Sequence, residues 1–180
     1  MFPYLRTNKD YLEDCKDPNR FAGILKERVN ASKWKSNYNV TPKEIESWIN
    51  STFKEMSEVL KECDPNLCIG IEYFTEREDA GRVDMMIGGY GHDGRMKILV
   101  IELKQWNVVQ SAKGKKDICI PCYENLEPVY PKKDIEKPAL TLQKYIESVT
   151  KHNTAKIDLI PVIYAHNMKP KDDSIDLSLG

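Results

Sequence analysis

The fold is decided by residues 82–104, which read RVDMMIGGYGHDGRMKILVIELK. Two short runs rich in aliphatic side chains, at 83–87 and 96–103, are separated by a glycine-containing stretch, and this pattern predicts two strands joined by a tight turn. The glycines expected to mark the turn are Gly88, Gly89 and Gly94. Residues 98–101 are apolar at every position, as in a central strand that is covered on both faces. The segment therefore predicts a hairpin in the middle of a layered α/β domain.

Charged side chains stand at one end of this hairpin. Arg82 and Asp84 open its first strand, and Glu102 and Lys104 end the second. Side chains alternate between the two faces of a strand, so Glu102 and Lys104 share a face while Leu103 points away. If the two strands are neighbours, Asp84 lies beside Glu102. Two carboxylates and one ammonium group then converge at one end of the sheet.

Such a trio suits metal-assisted cleavage of a phosphodiester. Two carboxylates can hold Mg²⁺, which keeps several waters and takes phosphate oxygens as ligands. The ion lowers the pKa of a bound water and stabilises the charge of the transition state, and a nearby lysine can orient that water. The alternative is that Asp84, Glu102 and Lys104 are only the solvated end of a pair of strands.

Helices and further strands flank the hairpin. Apolar residues recur every three or four positions over 45–60 and predict a helix, which Thr41, Pro42 and Glu44 begin with a capping box. Further elements are expected as strands at 67–74 and 157–164, a hairpin within 104–130 and a second helix over 139–149. The order of helix, three strands, helix and strand predicts an α/β sandwich around a mixed sheet. The sequence contains no P-loop motif for nucleotide binding.

Composition and charge limit the possible classes of function. The chain has 180 residues with 27 basic and 28 acidic side chains, and no apolar run approaches the roughly 20 residues of a membrane span. Its first residues also lack the basic and apolar regions of a secretion signal, so we expect a cytoplasmic domain without membrane association.

Charge is nevertheless uneven along the chain. Residues 41–79 hold 4 basic and 10 acidic side chains, whereas residues 95–133 hold 8 basic and 4 acidic ones. The basic stretch predicts a surface for a phosphate backbone, since such contacts need only positive charge and reach. Lys113, Lys115 and Lys116 are its expected phosphate-contacting residues.

Several strings of the sequence resemble a known superfamily. Asp84 followed by Glu102, Leu103 and Lys104, in this order of elements, resembles the core motif of the PD-(D/E)XK nuclease superfamily. More narrowly, residues 41–167 resemble the N-terminal nuclease-like region of a bacterial superfamily 1 helicase-like family known as a domain of unknown function. The strings that carry the narrower resemblance are Glu44-Ile45-Glu46-Ser47-Trp48 with Asn50-Ser51, Ile71-Glu72-Tyr73, Arg82-Val83-Asp84, Glu102-Leu103-Lys104-Gln105-Trp106 and Tyr164-Ala165-His166-Asn167.

The resemblance implies a fold, an activity and a set of site residues. The implied fold is a restriction-endonuclease-like α/β sandwich with a mixed central sheet flanked by helices, and the implied activity is hydrolysis of DNA with Mg²⁺ or Mn²⁺. It implies catalytic roles for Asp84, Glu102 and Lys104, with Glu44 as a further acidic residue near the metal. The implied metal ligands are the carboxylates of Asp84 and Glu102 and the backbone carbonyl of Leu103.

The same resemblance implies an organisation of the chain. Residues 1–40 are expected to be a helical preface, residues 41–167 the nuclease-like core, and residues 168–180 a truncated linker to a missing ATPase or helicase domain. Two positions depart from the family pattern: Val83 stands where the superfamily's name has proline, and Thr141 stands where the related helix often has glutamine.

Alternatives remain open from the residues alone. The chain can be a catalytically inactive module of the same fold that binds nucleic acid or a partner protein, and RNA can replace DNA as the nucleic acid. Glu44 can serve only the capping box, which leaves Glu55 and Glu72 as rivals. Glu72 is expected to share a strand face with Gly70 and Phe74. A third alternative is a zinc-stapled interaction module that uses Cys63, Cys68, Cys119 and Cys122.

Overall fold

The chain folds around a mixed five-stranded sheet. The computed structural model describes residues 2–32, 39–74, 82–104, 108–111, 119–122 and 157–166. The strands are β1 (Tyr4–Thr7), β2 (Cys68–Phe74), β3 (Arg82–Tyr90), β4 (Met96–Lys104), β5 (Val108–Ser111), β6 (Cys119–Cys122) and β7 (Ile157–Ala165). The sheet has the strand order β1-β2-β3-β4-β7, and β5 and β6 form a separate antiparallel pair. Neighbours in the sheet are antiparallel except β4 and β7, which run parallel, so the fold is α/β with a mixed sheet.

Helical elements precede β2 in the chain. They are α1 (Asn8–Asp14), α2 (Pro18–Ala31), α3 (Pro42–Ser47), a π-helical stretch (Trp48–Glu55) and α4 (Met56–Leu60). The side chains of Thr7, Asp17 and Thr41 accept backbone N–H bonds at the starts of α1, α2 and α3, as N-caps do. Backbone angles stay helical through both junctions of the π-helical stretch, so residues 42–60 form one continuous helix.

The π turns change which side chains of this helix face the core. Trp48 and Phe53 are five residues apart, which matches the i→i+5 period of a π-helix, and both are buried. Met56 and Leu60 continue the buried side. Val59, which regular helical spacing assigns to the same side, is 45 % exposed. The predicted helix is confirmed, with its apolar side shifted by the wider turns.

Apolar side chains cover both faces of the sheet. The larger cluster lies between the helices and one face, and its buried members include Tyr4, Tyr11, Phe21, Leu25, Val29, Trp48, Phe53, Met56, Leu60, Ile69, Ile71, Met85 and Ile101. A smaller cluster on the other face contains Val83, Met86 and Val100, with Ile98 and Leu159 packed against it. Alternate residues of β4 join the two clusters, which confirms the prediction that residues 98–101 are apolar on both sides.

Residues 1–40 contain the predicted helices and one strand that the sequence reasoning missed. β1 pairs with β2 at the edge of the main sheet. Its sequence YLRT buries only Tyr4, so it carries no alternation of apolar and polar side chains from which a strand could be recognised. Tyr11 and Phe21 belong to the same core cluster as the later helix and strands, so residues on both sides of position 40 share one core.

The remaining strand predictions are confirmed, including the hairpin within 104–130, but one turn was misassigned. Gly88 and Gly89 lie inside β3, so the prediction that they mark a turn is wrong. The turn lies further on, where the N–H of Gly91 donates to the carbonyl of Arg95 at 2.9 Å and Gly94 has a φ of 72°. A side chain at position 89 would lie 2.5 Å from Leu67, so the glycine permits that close packing.

Two predictions fall outside the described residues: the helix over 139–149 and the tail at 168–180. Among the described helices, none is long and apolar enough to cross a membrane.

Candidate active site

The site begins where the pairing between β3 and β4 ends. The last paired residues are Met85 and Ile101, and one further step of this register sets Asp84 opposite Glu102. There, Oδ2 of Asp84 accepts the backbone N–H of Leu103 at 2.9 Å. The carboxylate thus accepts a hydrogen bond from an N–H group that would otherwise donate to the backbone of β3 if the pairing of the two strands continued. Asp84 therefore lies in the opening between the two strands, against the peptide that joins Glu102 to Leu103.

Glu102 and Lys104 lie at the end of β4 beside this opening. Nζ of Lys104 donates to Oε1 of Glu102 at 2.8 Å, and the side chains are 20 % and 14 % exposed, respectively. They alternate along the strand with Leu103, which packs toward the helices, as the sequence predicted. The backbone N–H of His166 donates to the carbonyl of Lys104 at 3.2 Å, which extends the pairing of β4 with β7 to the last residue of β4.

Glu44 approaches the same region from the start of α3. Its backbone N–H donates to Thr41, and its Oε2 accepts the backbone N–H of Thr41 at 2.9 Å, so the predicted capping box is confirmed. The other oxygen, Oε1, accepts from Nη1 of Arg82 at 2.9 Å. Glu44 is therefore both a capping residue and the acidic partner of a residue on β3.

Glu72 is the most constrained residue of the site. Its side chain is 2 % exposed, and its backbone has a φ of 57°, the left-handed conformation that L-residues rarely adopt. Oε1 accepts the indole N–H of Trp48 at 2.5 Å, and Oε2 lies 2.7 Å from Nε of Arg82. The carboxylate is therefore buried between a helix side chain, Trp48, which donates a hydrogen bond to one oxygen, and a strand side chain, Arg82, which forms an ion pair with the other oxygen without a hydrogen bond.

The left-handed residue also breaks the alternation of β2. Phe74 packs in the main cluster with Ile69 and Ile71, whereas a side chain at Gly70 would meet Phe2 on the other face of the strand. Glu72 contacts Trp48 in that same cluster, so the prediction that Glu72 shares a face with Phe74 is right, and the prediction that it shares a face with Gly70 is wrong. Regular alternation fails at Glu72 because a residue with positive φ does not keep the extended backbone that makes successive side chains point to opposite faces.

These groups line a small cleft of about 50 Å³ between the helix and the ends of β2 and β3. Its lining residues are Glu44, Ser47, Trp48, Thr52, Glu72, Arg82, Asp84 and Leu103. A single water needs about 10–15 Å³ of cavity volume. The cleft can therefore hold a hydrated ion or several waters.

Burial and like charges act on the carboxyl groups of the cleft. Burial raises the pKa of Glu72 from 4.5 to about 8; Arg82 and the Trp48 hydrogen bond oppose the rise, and the charges of Asp84 and Glu44 add to it. Burial also raises the pKa of Asp84, against the Leu103 N–H and the charges of Arg82 and Lys104. A cation entering the cleft would favour the ionised forms of both carboxyl groups.

The structure relates the predicted site residues as follows. Asp84 and Glu44 line one cleft, Asp84 contacts the backbone of Leu103, and Lys104 contacts Glu102. Of the acidic rivals to Glu44, Glu72 lines the cleft. The expected phosphate contacts of Lys113, Lys115 and Lys116 lie outside the described residues.

Of the four cysteines in the zinc alternative, two have described side chains and two do not. Cys63 and Cys68 are exposed free thiols. The side chains of Cys119 and Cys122, on β6, are not among those described. Within the described part of the chain, no three His, Cys, Asp or Glu side chains are grouped so as to hold a metal ion.

The chemistry of the donors nonetheless suits Mg²⁺ or Mn²⁺ at the opening between β3 and β4. Asp84 and Glu102 supply carboxylate oxygens, which these hard cations prefer. The N–H and C=O of one strand residue point to the same side, so the carbonyl of Leu103 is directed with its N–H toward Asp84. Asp84, Glu102 and the Leu103 carbonyl are thus compatible in type with one ion, with Lys104 adjacent.

The contacts of Trp48 and Arg82 with Glu72 were not predicted from the sequence. A signal was present, because Glu72 stands in the otherwise uncharged strand CIGIEYF, whose residues 69–72 and 74 are buried. A carboxylate inside such a strand must find donors in the fold, since an unpaired buried charge is very costly. The nature of those donors depends on tertiary packing and cannot be read from spacing.

Comparisons with known proteins do not extend this picture: no family model matches the chain, and neither does any curated protein or solved structure.

Proposed function

We propose that this chain is a metal-dependent nuclease domain that hydrolyses phosphodiester bonds of DNA and works beside an ATPase or helicase region in a larger protein. The observation that carries the proposal is the contact between Asp84 and the Leu103 N–H at the point where β3 and β4 separate. This contact brings the carboxylate of Asp84, on β3, against the backbone of residues 102–104, on β4. In the proposal, the Asp84 carboxylate, the Leu103 carbonyl and the Lys104 ammonium group meet a phosphate at this end of β4, beside the cleft that Asp84 and Leu103 line and that Glu102 and Lys104 do not line.

In this proposal each residue has a separate task. Asp84, Glu102 and the carbonyl of Leu103 hold Mg²⁺ or Mn²⁺, which when bound supplies an activated water and charge stabilisation for the reaction. Lys104 orients the attacking water and offsets negative charge that develops on the phosphate. Its contact with Glu102 at 2.8 Å keeps the ammonium group beside the ligand set. Glu44 adds negative charge from the helix side.

We also propose the restriction-endonuclease-like sandwich as the complete fold. Viewed from the helices with β4 running upward, Leu103 points to the viewer and its N–H points right, toward β3. β7 therefore lies to the left. A right-handed crossover between parallel strands, which is nearly universal, must then pass behind the sheet. A second layer on that side, against Val83, Met86 and Val100, would complete the sandwich.

The proposal predicts cleavage that depends on a divalent ion. Purified chain incubated with linear and circular DNA should produce shorter products with Mg²⁺ or Mn²⁺ and none with excess chelator, because the ion supplies both nucleophile and charge stabilisation. Gel analysis of the products measures the rate and separates nicking of a circle from erosion of ends. The absence of cleavage with either ion would contradict the proposal.

DNA binding is expected to involve the basic stretch. Replacement of Lys113, Lys115 and Lys116 together by Ala should weaken binding and reduce the slope of log affinity against log salt by roughly 0.7–0.9 for each phosphate that is no longer neutralised. The contacts are to phosphates, so sequence preference should not change. Titrations of both proteins at several salt concentrations measure the slopes. Identical slopes would remove this segment from the binding surface.

A second candidate is a catalytically inactive module of the same fold that binds nucleic acid or a partner protein. The observation that favours it is the pairing of Glu102 with Lys104, which occupies a required metal ligand with an internal cation. DNA binding without divalent-ion binding would support this candidate over the nuclease.

A further inference from the structure

Arg82 carries a positive charge two residues before the proposed metal ligand Asp84 on the same strand. Its guanidinium group is directed to two other carboxylates: Nη1 lies 2.9 Å from Oε1 of Glu44, and Nε lies 2.7 Å from Oε2 of Glu72. Arg82 and Asp84 line the same cleft, and the charge of Arg82 lowers the pKa of Asp84.

Glu72 holds this arrangement at a cost to the fold. Its carboxylate is buried, and its backbone adopts a left-handed conformation that is unfavourable for a residue with a side chain. An apolar residue at this position would avoid the desolvation of the carboxylate. The indole N–H of Trp48 donates to one oxygen, and the other oxygen forms an ion pair with Arg82 that does not meet hydrogen-bond geometry. Such costs concentrate where a residue serves a site.

We propose that Glu72 is a positioning residue that keeps Arg82 away from Asp84, so that Asp84 is available to a divalent cation. The inference rests on the proposed metal site. Glu44 shares the task from the helix side through its contact with Arg82. When Glu72 loses its charge, Arg82 loses one of its charged partners, and Asp84, two residues further along β3, can take the place of that partner. Pairing of Arg82 with Asp84 then competes with the cation.

Divalent-ion binding tests the inference without any measurement of cleavage. Isothermal titration of the full chain with Mg²⁺ at pH 8.5, above the pKa of about 8 that burial gives Glu72, compares wild type, Glu72→Gln, Arg82→Met and the double variant. Gln keeps the size of the side chain and an oxygen acceptor for Trp48. We expect Glu72→Gln to weaken Mg²⁺ binding about 10-fold, because an ion pair of Arg82 with Asp84 must break before the cation binds. The double variant should recover wild-type affinity, and Arg82→Met alone should bind at least as tightly as wild type.

The outcomes separate this inference from the proposed function. If wild type binds no Mg²⁺, both are overturned. If wild type binds Mg²⁺ and Glu72→Gln binds it equally, only the role of Glu72 is overturned. A double variant no tighter than Glu72→Gln would mean that the weaker binding is structural in origin and does not act through Arg82. Weaker binding by Arg82→Met alone also overturns the inference, and that variant leaves Glu72 and its contact with Trp48 in place.

Discussion

Glu102→Ala and Lys104→Ala are each expected to reduce metal-dependent DNA cleavage by on the order of a thousandfold, since each removes a group that stabilises the transition state directly or through the metal. Both side chains lie at the end of β4, outside the two core clusters, so neither change should unfold the chain. Initial rates of cleavage at saturating Mg²⁺ measure the effect, and circular dichroism confirms the fold.

A matched control for Lys104 lies on the same strand. Lys97 is 40 % exposed and pairs with Asp93 at 3.2 Å, far from the opening between β3 and β4. Lys97→Ala should cleave at the wild-type rate, because surface ion pairs of this kind contribute little to stability. Wild-type cleavage by Glu102→Ala would point to a contaminating nuclease or to another site, and the role of Glu102 would be wrong.

Glu72→Gln is expected to make the folded chain more stable at pH 8, by on the order of 2–4 kcal/mol. The pKa of Glu72 rises from 4.5 to about 8 in the folded chain, so wild type takes up a proton on folding between these values. Wild type therefore loses stability as pH rises through this interval, by up to about 1.4 kcal/mol per pH unit. Below pH 4.5 the two proteins should differ little. Urea unfolding at several pH values measures the difference.

The control for this pH series is Glu46→Gln, on α3. Glu46 is exposed, so its replacement should change the free energy of unfolding by less than about 0.5 kcal/mol at every pH. A Glu72→Gln variant that is less stable than wild type at pH 8 would show that the contacts with Arg82 and Trp48 outweigh the burial of the charge. Greater stability together with weaker Mg²⁺ binding would identify Glu72 as a residue kept for function at a cost to the fold.

The strands of the central sheet could be predicted because their signals are local. The hairpin over 82–104 carries apolar runs, a turn with Gly94 and charges at one end, and each feature depends on neighbours in sequence. β1 could not be predicted in the same way, since a four-residue edge strand with one buried side chain has no periodicity. The π turns were also missed, because Ile49, four residues before Phe53, completes a stripe that regular α-helical spacing explains.

The candidate site could be predicted in position and not in detail. Alternation and register were sufficient to place Asp84 near Glu102 and Lys104, since antiparallel neighbours joined by a short turn leave few choices. The contact of Asp84 with a backbone N–H could not be foreseen, because it requires the two strands to separate at that residue. The left-handed backbone of Glu72 likewise depends on burial against Trp48 and Arg82.

The proposed site residues lie outside the connection between β4 and β7, and this determines where insertions can be accommodated. Asp84, Glu102 and Lys104 all belong to one hairpin whose strands are joined by a short turn, whereas β4 reaches its parallel partner β7 only through the connection over 105–156. The free-energy cost of closing a loop grows only with the logarithm of its length, by about 0.6 kcal/mol for each doubling. Insertions there lower the stability of the β4–β7 pairing slightly and leave the spacing of the acidic residues and the lysine unchanged.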